Sequence, residues 1–143
     1  MAEFKEALTS GKEYEYMYRD FLRQWYPNAS VKEGYCKEYD IVIPEINQTV
    51  EVKLDKKSNF TGNMVVEVEF NGKPSGLTTT TADHWVFCDG KEWIRLLTER
   101  LKGLVNQFEI VEFVGNGDIK PKKAYLVDKE VLREYADKVV SLH

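Results

Sequence analysis

A stretch of fourteen residues, positions 40–53 with the sequence DIVIPEINQTVEVK, constrains the fold of this chain more than any other. Two short apolar runs, at 41–43 and 50–52, flank a segment with proline and asparagine, which predicts two β-strands joined by a tight connection. Side chains alternate across a strand, so Glu51 and Lys53 share one face and the neighbouring valines take the other. If the strands pair as a hairpin, Asp40 comes level with Glu51. The stretch therefore predicts two carboxylates and an amine at one edge of a sheet.

Two carboxylates and a lysine in this arrangement suit the hydrolysis of phosphodiester bonds. Carboxylate oxygens on facing strands can hold Mg²⁺, a hard cation that keeps several of its waters. The cation polarises the phosphoryl group and acidifies a bound water, while a lysine can orient that water or offset charge in the transition state. Acids and lysines are abundant, however, and a solvated hairpin with alternating charges explains the same residues. The stretch alone leaves both interpretations open.

The composition is that of one globular domain spanning residues 1–143, with 43% apolar and 13% aromatic residues. No apolar run approaches the roughly 20 residues of a membrane span. The first residues also lack the apolar core of a signal peptide, so we expect a cytoplasmic protein with no membrane partner. Cys36 and Cys88 lie far apart without metal-binding spacing, which predicts two reduced thiols, and two histidines are too few for a zinc site.

The net charge of −4 does not by itself indicate a nucleic-acid-binding protein, whose usual footprint is a basic patch. A metal-dependent nuclease nevertheless concentrates carboxylates in its site, and bound Mg²⁺ reverses their local sign. Such a site would still need a basic rim. Two groups of lysines could supply one, although an ordinary solvated face presents the same residues: Lys53, Lys56, Lys57 and Lys73, and then Lys120, Lys122 and Lys123.

The remaining periodicity predicts an α/β chain. Residues 3–26 are predicted to be helical, because the apolar positions from Tyr14 to Trp25 follow the spacing of one buried helical face. Alternation predicts a strand at 64–70, and the Asn-Gly pair that follows predicts a turn. Further strands are predicted at 30–34, 85–87, 108–114 and 124–127, helices at 91–107 and 129–142, and a loop at 114–118.

Glu15 is a candidate third acid for the predicted site. It lies at the border of the apolar face of the first helix, about 90° from its centre at 100° per residue. From there its carboxylate could extend over the sheet edge on which the helix packs. An ordinary flanking glutamate explains the position equally well.

The order of an aspartate, about ten residues, and then Glu-x-Lys resembles the signature of the PD-(D/E)xK nuclease superfamily. Residues 11–87 in particular resemble small phage-encoded endonucleases of that superfamily. There an E-x-K-x-D run is followed by T-G-N, an acid-containing strand, a P-S-G-[IL] loop and T-x-A-D-[HY]-[WY]. Tyr39 departs from the pattern, since it stands where the superfamily name has a proline. The matching positions are Glu51, Lys53, Asp55, residues 61–63, Glu67 or Glu69, residues 74–77 and residues 80–85.

The resemblance implies an α/β fold in which helices flank a mixed central sheet, with a restriction-endonuclease-like core. It implies a Mg²⁺-dependent phosphodiesterase, a deoxyribonuclease that acts as an endonuclease on DNA, with Mn²⁺ as a substitute cofactor. A homodimer is compatible with this function. Asp40 and Glu51 are then metal ligands, and Lys53 positions the attacking water. The spacing from Gly11 to Glu15 is similar to the G-x-x-x-E of resolvases in the superfamily, which makes Glu15 an auxiliary metal ligand.

Several further polar residues are candidates for supporting roles, each with a structural alternative. Asp55 and Glu67 could approach the metal, or they could be a loop starter and an exposed strand acid. Asp83 could help to hold the site or cap a turn. His84 could donate a proton to the leaving oxygen, or it could simply pack beside Trp85.

The loop at 74–81 could contact phosphates. The hydroxyl groups of Ser75 and of the threonines at 78–81 are suitable donors, and Gly76 would allow close approach. Two other functions remain open: a non-catalytic module on the same fold that binds nucleic acid or protein, and a metal-dependent hydrolase that acts on nucleotides. Two clustered acids with a lysine argue against the binding module, because a binding face need not bear their repulsion and desolvation.

Overall fold

The computed structural model describes residues 2–34, 38–114 and 120–142, so Cys36 and positions 115–118 of the predicted loop lie outside it. Four helices occur in the described ranges: α1 (Ala2–Leu22), α2 (Ser58–Thr61), α3 (Thr98–Leu104) and α4 (Lys129–Tyr135). Ten strands occur there: β1 (Ser30–Val31), β2 (Ile41–Ile43), β3 (Gln48–Leu54), β4 (Asn63–Phe70), β5 (Lys73–Pro74), β6 (His84–Cys88), β7 (Glu92–Leu97), β8 (Ile110–Phe113), β9 (Lys122–Asp128) and β10 (Lys138–Ser141).

The strands form two sheets. The larger has the order β1-β2-β3-β6-β7-β10, and the smaller has the order β5-β4-β9-β8. In the larger sheet β3 pairs with β6 in parallel, and the other pairs are antiparallel. A mixed α/β architecture with a mixed central sheet, as predicted, is therefore confirmed.

Helix α1 covers one face of the six-stranded sheet. Tyr18 and Leu22 are both 2% exposed and pack against Ile41, Val50 and Trp93 on that face. The predicted apolar stripe is buried only in part, since Met17 and Trp25 at its margins are 44% and 53% exposed. Trp25 is exposed because the helix ends at Leu22, so later residues no longer follow the helical spacing.

The opposite face of the six-stranded sheet is covered mainly by the second sheet, and not by helices alone as predicted. Met64 and Val66 of β4 pack with Trp85 and Phe87 of β6, and Val127 of β9 joins the same core. Helices α3 and α4 contribute their apolar faces at its margin. Apolar and polar residues alternate along β4, so one face of this strand must be buried. The strand β9, which pairs with β4, also has one face to bury.

The helix predicted at 91–107 is wrong in its first half. The segment Glu92–Leu97 is strand β7, which pairs antiparallel with β6 across the turn at Gly90, where φ is +92°. Trp93 is buried with α1, whereas Ile94 and Leu96 are buried on the other face. A strand covered on both faces has apolar residues at most positions, and such a run also matches helical spacing. The helix is restricted to Thr98–Leu104.

The helix predicted at 129–142 is also too long. It ends at Tyr135, and the chain continues as β10 along the edge of β7. Asp137 fixes this change of direction, because its N–H donates to the carbonyl of Arg95 at 2.8 Å and its carboxylate accepts from the N–H of Leu97 at 3.1 Å. The spacing of apolar residues in the sequence gives no information about these long-range hydrogen bonds.

A buried ion pair joins α4 to the turn between β6 and β7. The Nζ of Lys129 lies 2.8 Å from Oδ2 of Asp89, and the two side chains are 9% and 3% exposed. The other carboxylate oxygen of Asp89 accepts the N–H groups of Lys91 and Glu92. A buried pair of this kind ties the turn to the helix because neither charge can return to water.

We expect Lys129→Met to lower the free energy of unfolding by about 3 kcal/mol, because the Asp89 carboxylate would stay buried without its cation. Urea denaturation measures this change. The matched control is Lys102→Met, whose amine lies 3.7 Å from the 87% exposed side chain of Glu99. That exposed pair should contribute less than about 1 kcal/mol. Equal losses in the two variants would contradict a special role for the buried pair.

Candidate active site

Asp40 precedes β2 and is fixed against β3. Ile41 pairs with Val50, so Asp40 lies beside Glu51 on the neighbouring strand. The N–H of Asp40 donates to the carbonyl of Val50 at 2.9 Å, and Oδ2 of Asp40 accepts from the N–H of Val52 at 2.8 Å. Its side chain is buried, with Asp40 only 5% exposed. The hairpin thus holds a carboxylate in one orientation at its open end.

Glu51 and Lys53 project from the same face of β3 and complete a cluster with Asp40. The Nζ of Lys53 lies 3.3 Å from Oε1 of Glu51, and the Asp40 carboxylate is close enough to raise the pKa of Glu51. Lys53 further lies 5.6 Å from the ring centre of Trp85, the residue paired with Glu51 on β6. We call Asp40, Glu51 and Lys53 the carboxylate–lysine cluster.

The cluster alters the protonation of Glu51. Burial raises the pKa of Glu51 to about 7; the Lys53 amine opposes this rise, and the neighbouring Asp40 adds to it. Two carboxyl groups this close cannot both lose their protons without repulsion. The pair therefore either retains a proton near neutral pH or is neutralised by a cation.

The pKa of Lys53 is raised as well, but by charge and not by burial. Burial lowers the pKa of Lys53, but the charges of Glu51 and Asp40 outweigh burial and raise it above its ordinary value. The amine therefore stays protonated at neutral pH. In this arrangement Lys53 can donate hydrogen bonds and offset negative charge, but it cannot accept a proton as a general base.

The cluster opens into a cavity of about 330 Å³ between the two sheets. The cavity is closed on one side by β4 and by the loop that follows β5. Glu51 and Lys53 form part of its lining. The residues that line it are Glu38, Glu51, Lys53, Glu67, Gly76, Thr79 and Thr80.

Glu67 faces the cluster from β4 and is held by two neighbours. Its Oε2 accepts from the Ser75 hydroxyl at 2.7 Å, and its Oε1 lies 3.5 Å from Nζ of Lys122. Glu67 also contributes to the raised pKa of Lys53, which places the two charges within electrostatic reach. Of the lysines considered for a basic rim, Lys122 is thus bound to an acid of the cavity.

Gly76 makes a close approach that no other residue type can make. Its φ is +53°, and a Cβ built on it would lie 2.2 Å from the carbonyl oxygen of Glu67. Both the left-handed conformation and the contact exclude a side chain. The sequence predicted close approach to a ligand here, whereas the observed contact joins the loop to β4.

Glu38 is a cavity residue that the sequence reasoning missed. Its carboxylate accepts from the Thr81 hydroxyl at 3.3 Å, and its carbonyl accepts from the Thr81 N–H at 3.4 Å. The signal available in the sequence is its position two residues before Asp40, close to the start of β2. The Glu-x-Lys pattern draws attention only to β3.

Asp40 is not among the residues that line the cavity, and three more of the predicted acids lie outside the lining as well. Glu15 is 9% exposed on α1, and its Oε1 lies 3.6 Å from Nζ of Lys12. Asp55 accepts from the N–H of Val65 at 3.2 Å, which connects the end of β3 to the start of β4. Asp83 accepts from the N–H of Thr49 at 2.8 Å, at the opposite end of β3 from Val52.

His84 projects from the face of the sheet opposite to the cluster. Its Nε2 lies 2.5 Å from Oε1 of Gln48. Burial and the nearby Arg95 lower the pKa of His84 below its ordinary value, so the ring is neutral at pH 7. Trp85, the next residue, points into the cavity-side core, as alternation along β6 requires.

The hydroxyl groups of the threonine run are engaged within the protein. Thr78 donates to the carbonyl of Val68 at 2.7 Å, and Thr80 accepts from the N–H of Ala82 and the indole N–H of Trp85. Thr80 still lines the cavity together with Thr79. The threonine run therefore mainly forms the wall of the cavity, and few of its hydroxyl groups are left to donate to a ligand.

The donor set suits Mg²⁺ better than a transition metal. Among the residues that the structure describes, no three acidic, histidine or cysteine side chains are grouped as a metal site. Mg²⁺ is commonly held by one or two carboxylates, with water and substrate phosphates filling the remaining positions. The neighbouring carboxyl groups of Asp40 and Glu51 are the residues that could supply these ligands. The carbonyl of Val52 lies on the same side of β3 as the N–H that Asp40 accepts.

Comparisons with protein families, curated proteins and solved structures give no match for this chain. None of the helices in the described ranges has the length and apolar character needed to cross a membrane. The functional case therefore depends on the site itself.

The raised pKa of Glu51 predicts a pH-dependent stability in the absence of divalent cations. The folded state holds this proton more tightly than the unfolded chain, whose pKa is near 4.5. The stabilisation is therefore complete below about pH 4.5 and is lost as the pH rises through about 7. From pH 5 to pH 8 we expect a loss of about 2–3 kcal/mol, at about 1.4 kcal/mol per pKa unit.

Urea denaturation in a chelator at several pH values measures this loss. Glu51→Gln is neutral at every pH, so its stability should vary less with pH than that of the wild type by about the same amount. If the stability of Glu51→Gln varies with pH in the same way as that of the wild type, Glu51 does not hold the proton.

Proposed function

We propose that the protein is a metal-dependent nuclease that hydrolyses phosphodiester bonds of DNA at the carboxylate–lysine cluster. One observation carries the proposal: Asp40 lies beside Glu51 on the paired strands, with the Lys53 amine 3.3 Å from Glu51, and Glu51 and Lys53 line a cavity. A structural hairpin does not need two carboxyl groups whose repulsion and burial raise one pKa to about 7.

Asp40 and Glu51 would hold Mg²⁺, with Mn²⁺ as a substitute. The cation, when bound, polarises the phosphoryl group and acidifies a coordinated water. Asp40 is already oriented by the Val52 N–H, so little reorganisation is needed on its side. Glu51 must lose its proton to bind a cation, and its pKa of about 7 makes that loss easy at slightly alkaline pH.

Lys53 would offset charge on the phosphoryl oxygens and orient the water that attacks. Its raised pKa keeps it protonated, and its side chain, which is 41% exposed, lines the cavity. Removing a single electrostatic contact of this kind from an active site typically costs a hundredfold to a thousandfold in rate. Thr79 and Thr80 would form the wall against which the substrate strand lies.

The proposed substrate, DNA, is a polyanion, and a polyanion fits this site only when a cation is present. Glu38, Glu51 and Glu67 make the cavity acidic, so phosphates are repelled until a divalent cation reverses the local sign. Exposed lysines at 56, 57 and 73 are available to contact the backbone outside the cavity. The resemblance of residues 11–87 to phage-encoded endonucleases supports an endonuclease with a restriction-endonuclease-like core, and Glu15 remains its proposed auxiliary ligand.

We expect Glu51→Gln to abolish Mg²⁺-dependent cleavage of supercoiled plasmid while leaving the protein folded. The substitution conserves size but removes the charge that holds a hard cation. The matched control is Glu69→Gln, because Glu69 lies on β4, pairs with Lys123 at 3.3 Å and does not line the cavity. Wild-type cleavage by the Glu51 variant would remove this site from the proposal. Metal-independent DNA binding without cleavage by the wild type would favour a binding module.

We expect Lys53→Ala to slow cleavage a hundredfold to a thousandfold while retaining Mg²⁺ binding. Loss of a cation beside two acids should, if anything, raise the local affinity for Mg²⁺. Calorimetric titration gives the metal affinity, and single-turnover cleavage at saturating Mg²⁺ gives the rate. Simultaneous loss of both would mean that Lys53 supports the site structurally. An unchanged rate would exclude the proposed role for Lys53.

A further inference from the structure

Phe60, on the short helix α2, is the most exposed large apolar side chain among the residues whose side chains the structure describes. It is 92% exposed, whereas Val114 and Trp25, which follow it, are 58% and 53% exposed. Single exposed apolar residues are common and need no explanation by themselves. The position of Phe60 does need one, because the turn that carries it is fixed on both sides.

The backbone of α2 is held by its own residues. Ser58 is 1% exposed, and its hydroxyl donates to the carbonyl of Asp55 at 2.7 Å. The N–H of Gly62 donates to the carbonyl of Ser58 at 2.9 Å, in a left-handed conformation with φ of +78° that favours glycine. These bonds close a single tight turn around Phe60.

The turn is also anchored to the protein interior. The side-chain amide of Asn59 donates to the carbonyl of Asp89 at 2.8 Å, and Nζ of Lys129 donates to Oδ1 of Asn59 at 3.3 Å. Asn59 is thereby attached to the buried ion pair of Lys129 and Asp89. With Ser58 buried and the Asn59 amide bonded to Asp89 and Lys129, the Phe60 ring is presented to solvent on a fixed turn.

The surroundings of the ring favour a polyanion. Lys56 and Lys57, at the start of the turn, are both exposed. The neighbouring carboxylates of Asp55 and Asp89 accept hydrogen bonds from Val65 and Lys129 respectively. An exposed aromatic ring that follows two exposed lysines in the same segment matches nucleic acid, in which phosphates alternate with flat bases.

The turn also lies on the side of the cavity. The turn connects β3 to β4. Lys53 on β3 and Glu67 on β4 interact electrostatically. Nearer the turn, the Asp55 carboxylate accepts a hydrogen bond from the N–H of Val65.

We propose that Phe60 stacks on an unpaired nucleobase of a DNA strand whose backbone enters the cavity. This inference rests on the proposed nuclease function and narrows its substrate to DNA with an interrupted base stack. A wedge in a continuous duplex must first unstack paired bases, which costs free energy that an unpaired base does not require. A single aromatic ring is suited to stacking on a base that is already unpaired.

The test measures binding of fluorescein-labelled duplexes by anisotropy, with Ca²⁺ in place of Mg²⁺ to keep the DNA intact. One duplex is fully paired and the other contains a single unpaired 2-aminopurine. We expect Phe60→Ala to weaken binding to the unpaired duplex tenfold to a hundredfold, as for loss of one stacked base. Binding to the paired duplex should change less than threefold. Phe60→Trp should keep the wild-type preference and the quenching of 2-aminopurine fluorescence that Phe60→Ala loses.

Two controls separate stacking from folding and from charge. Trp25→Ala removes an exposed aromatic ring elsewhere and should bind both duplexes as the wild type does. Lys57→Ala should weaken binding to both duplexes equally and reduce the salt dependence, because a phosphate contact does not discriminate between bases. Thermal unfolding of Phe60→Ala should match the wild type, since the ring is 92% exposed.

The outcomes distinguish this inference from the proposed function. If Phe60→Ala binds both duplexes like the wild type while the wild type cleaves DNA, the stacking role is refuted and the nuclease stands. Equal weakening on both duplexes refutes the preference for an unpaired base. If the wild type neither binds nor cleaves DNA, both proposals fail.

Discussion

The parallel pairing of β3 with β6 is the constraint on which the rest of the structure depends. Parallel neighbours cannot be joined by a tight turn, so residues 55–83 must cross one face of the sheet before returning. That crossover contains β4 and the Gly76 loop, and it recruits β9 to form the second sheet. As a result Glu67 and Gly76 lie over the side of β3 that carries Glu51 and Lys53, and a surface hairpin becomes the floor of a cavity.

Enclosure changes the chemistry of the cluster. On an open hairpin Glu51 would be solvated and would titrate near its ordinary pKa. Under the crossover it is largely desolvated beside Asp40, and its pKa rises to about 7 even though the Lys53 amine is close. The same charges raise the pKa of Lys53, so a proton-holding acid and a fixed cation lie side by side. A divalent cation would relieve the repulsion between the carboxylates, which is the physical basis of the metal-dependent reaction proposed here.

The crossover is rigid where it leaves β3. The Lys129–Asp89 pair joins α4 to the β6–β7 turn and, through Asn59, to the turn that carries Phe60. Asp55 bonds to the first part of β4, and Lys129 donates its N–H to the carbonyl of Gly62 at 2.9 Å. The α2 turn is therefore connected to both sheets and to α4. A surface residue presented on such a support can contact a partner without first losing conformational freedom.

Much of the local structure was predictable from the sequence, because alternation and turn chemistry act over a few residues. The hairpin of β2 and β3, the strand β4 with its turn at Asn71 and Gly72, and the juxtaposition of Asp40 with Glu51 and Lys53 follow from such signals. Only the tertiary structure decided that Glu92–Leu97 is a strand, that the chain after Tyr135 returns to the sheet edge, and that Glu38 lines the cavity. The reason is physical: an apolar run buried on both faces has no distinctive period, and strand pairing depends on partners remote in sequence. The sequence by itself determined which side chains meet within the hairpin, and the crossover determined what encloses them.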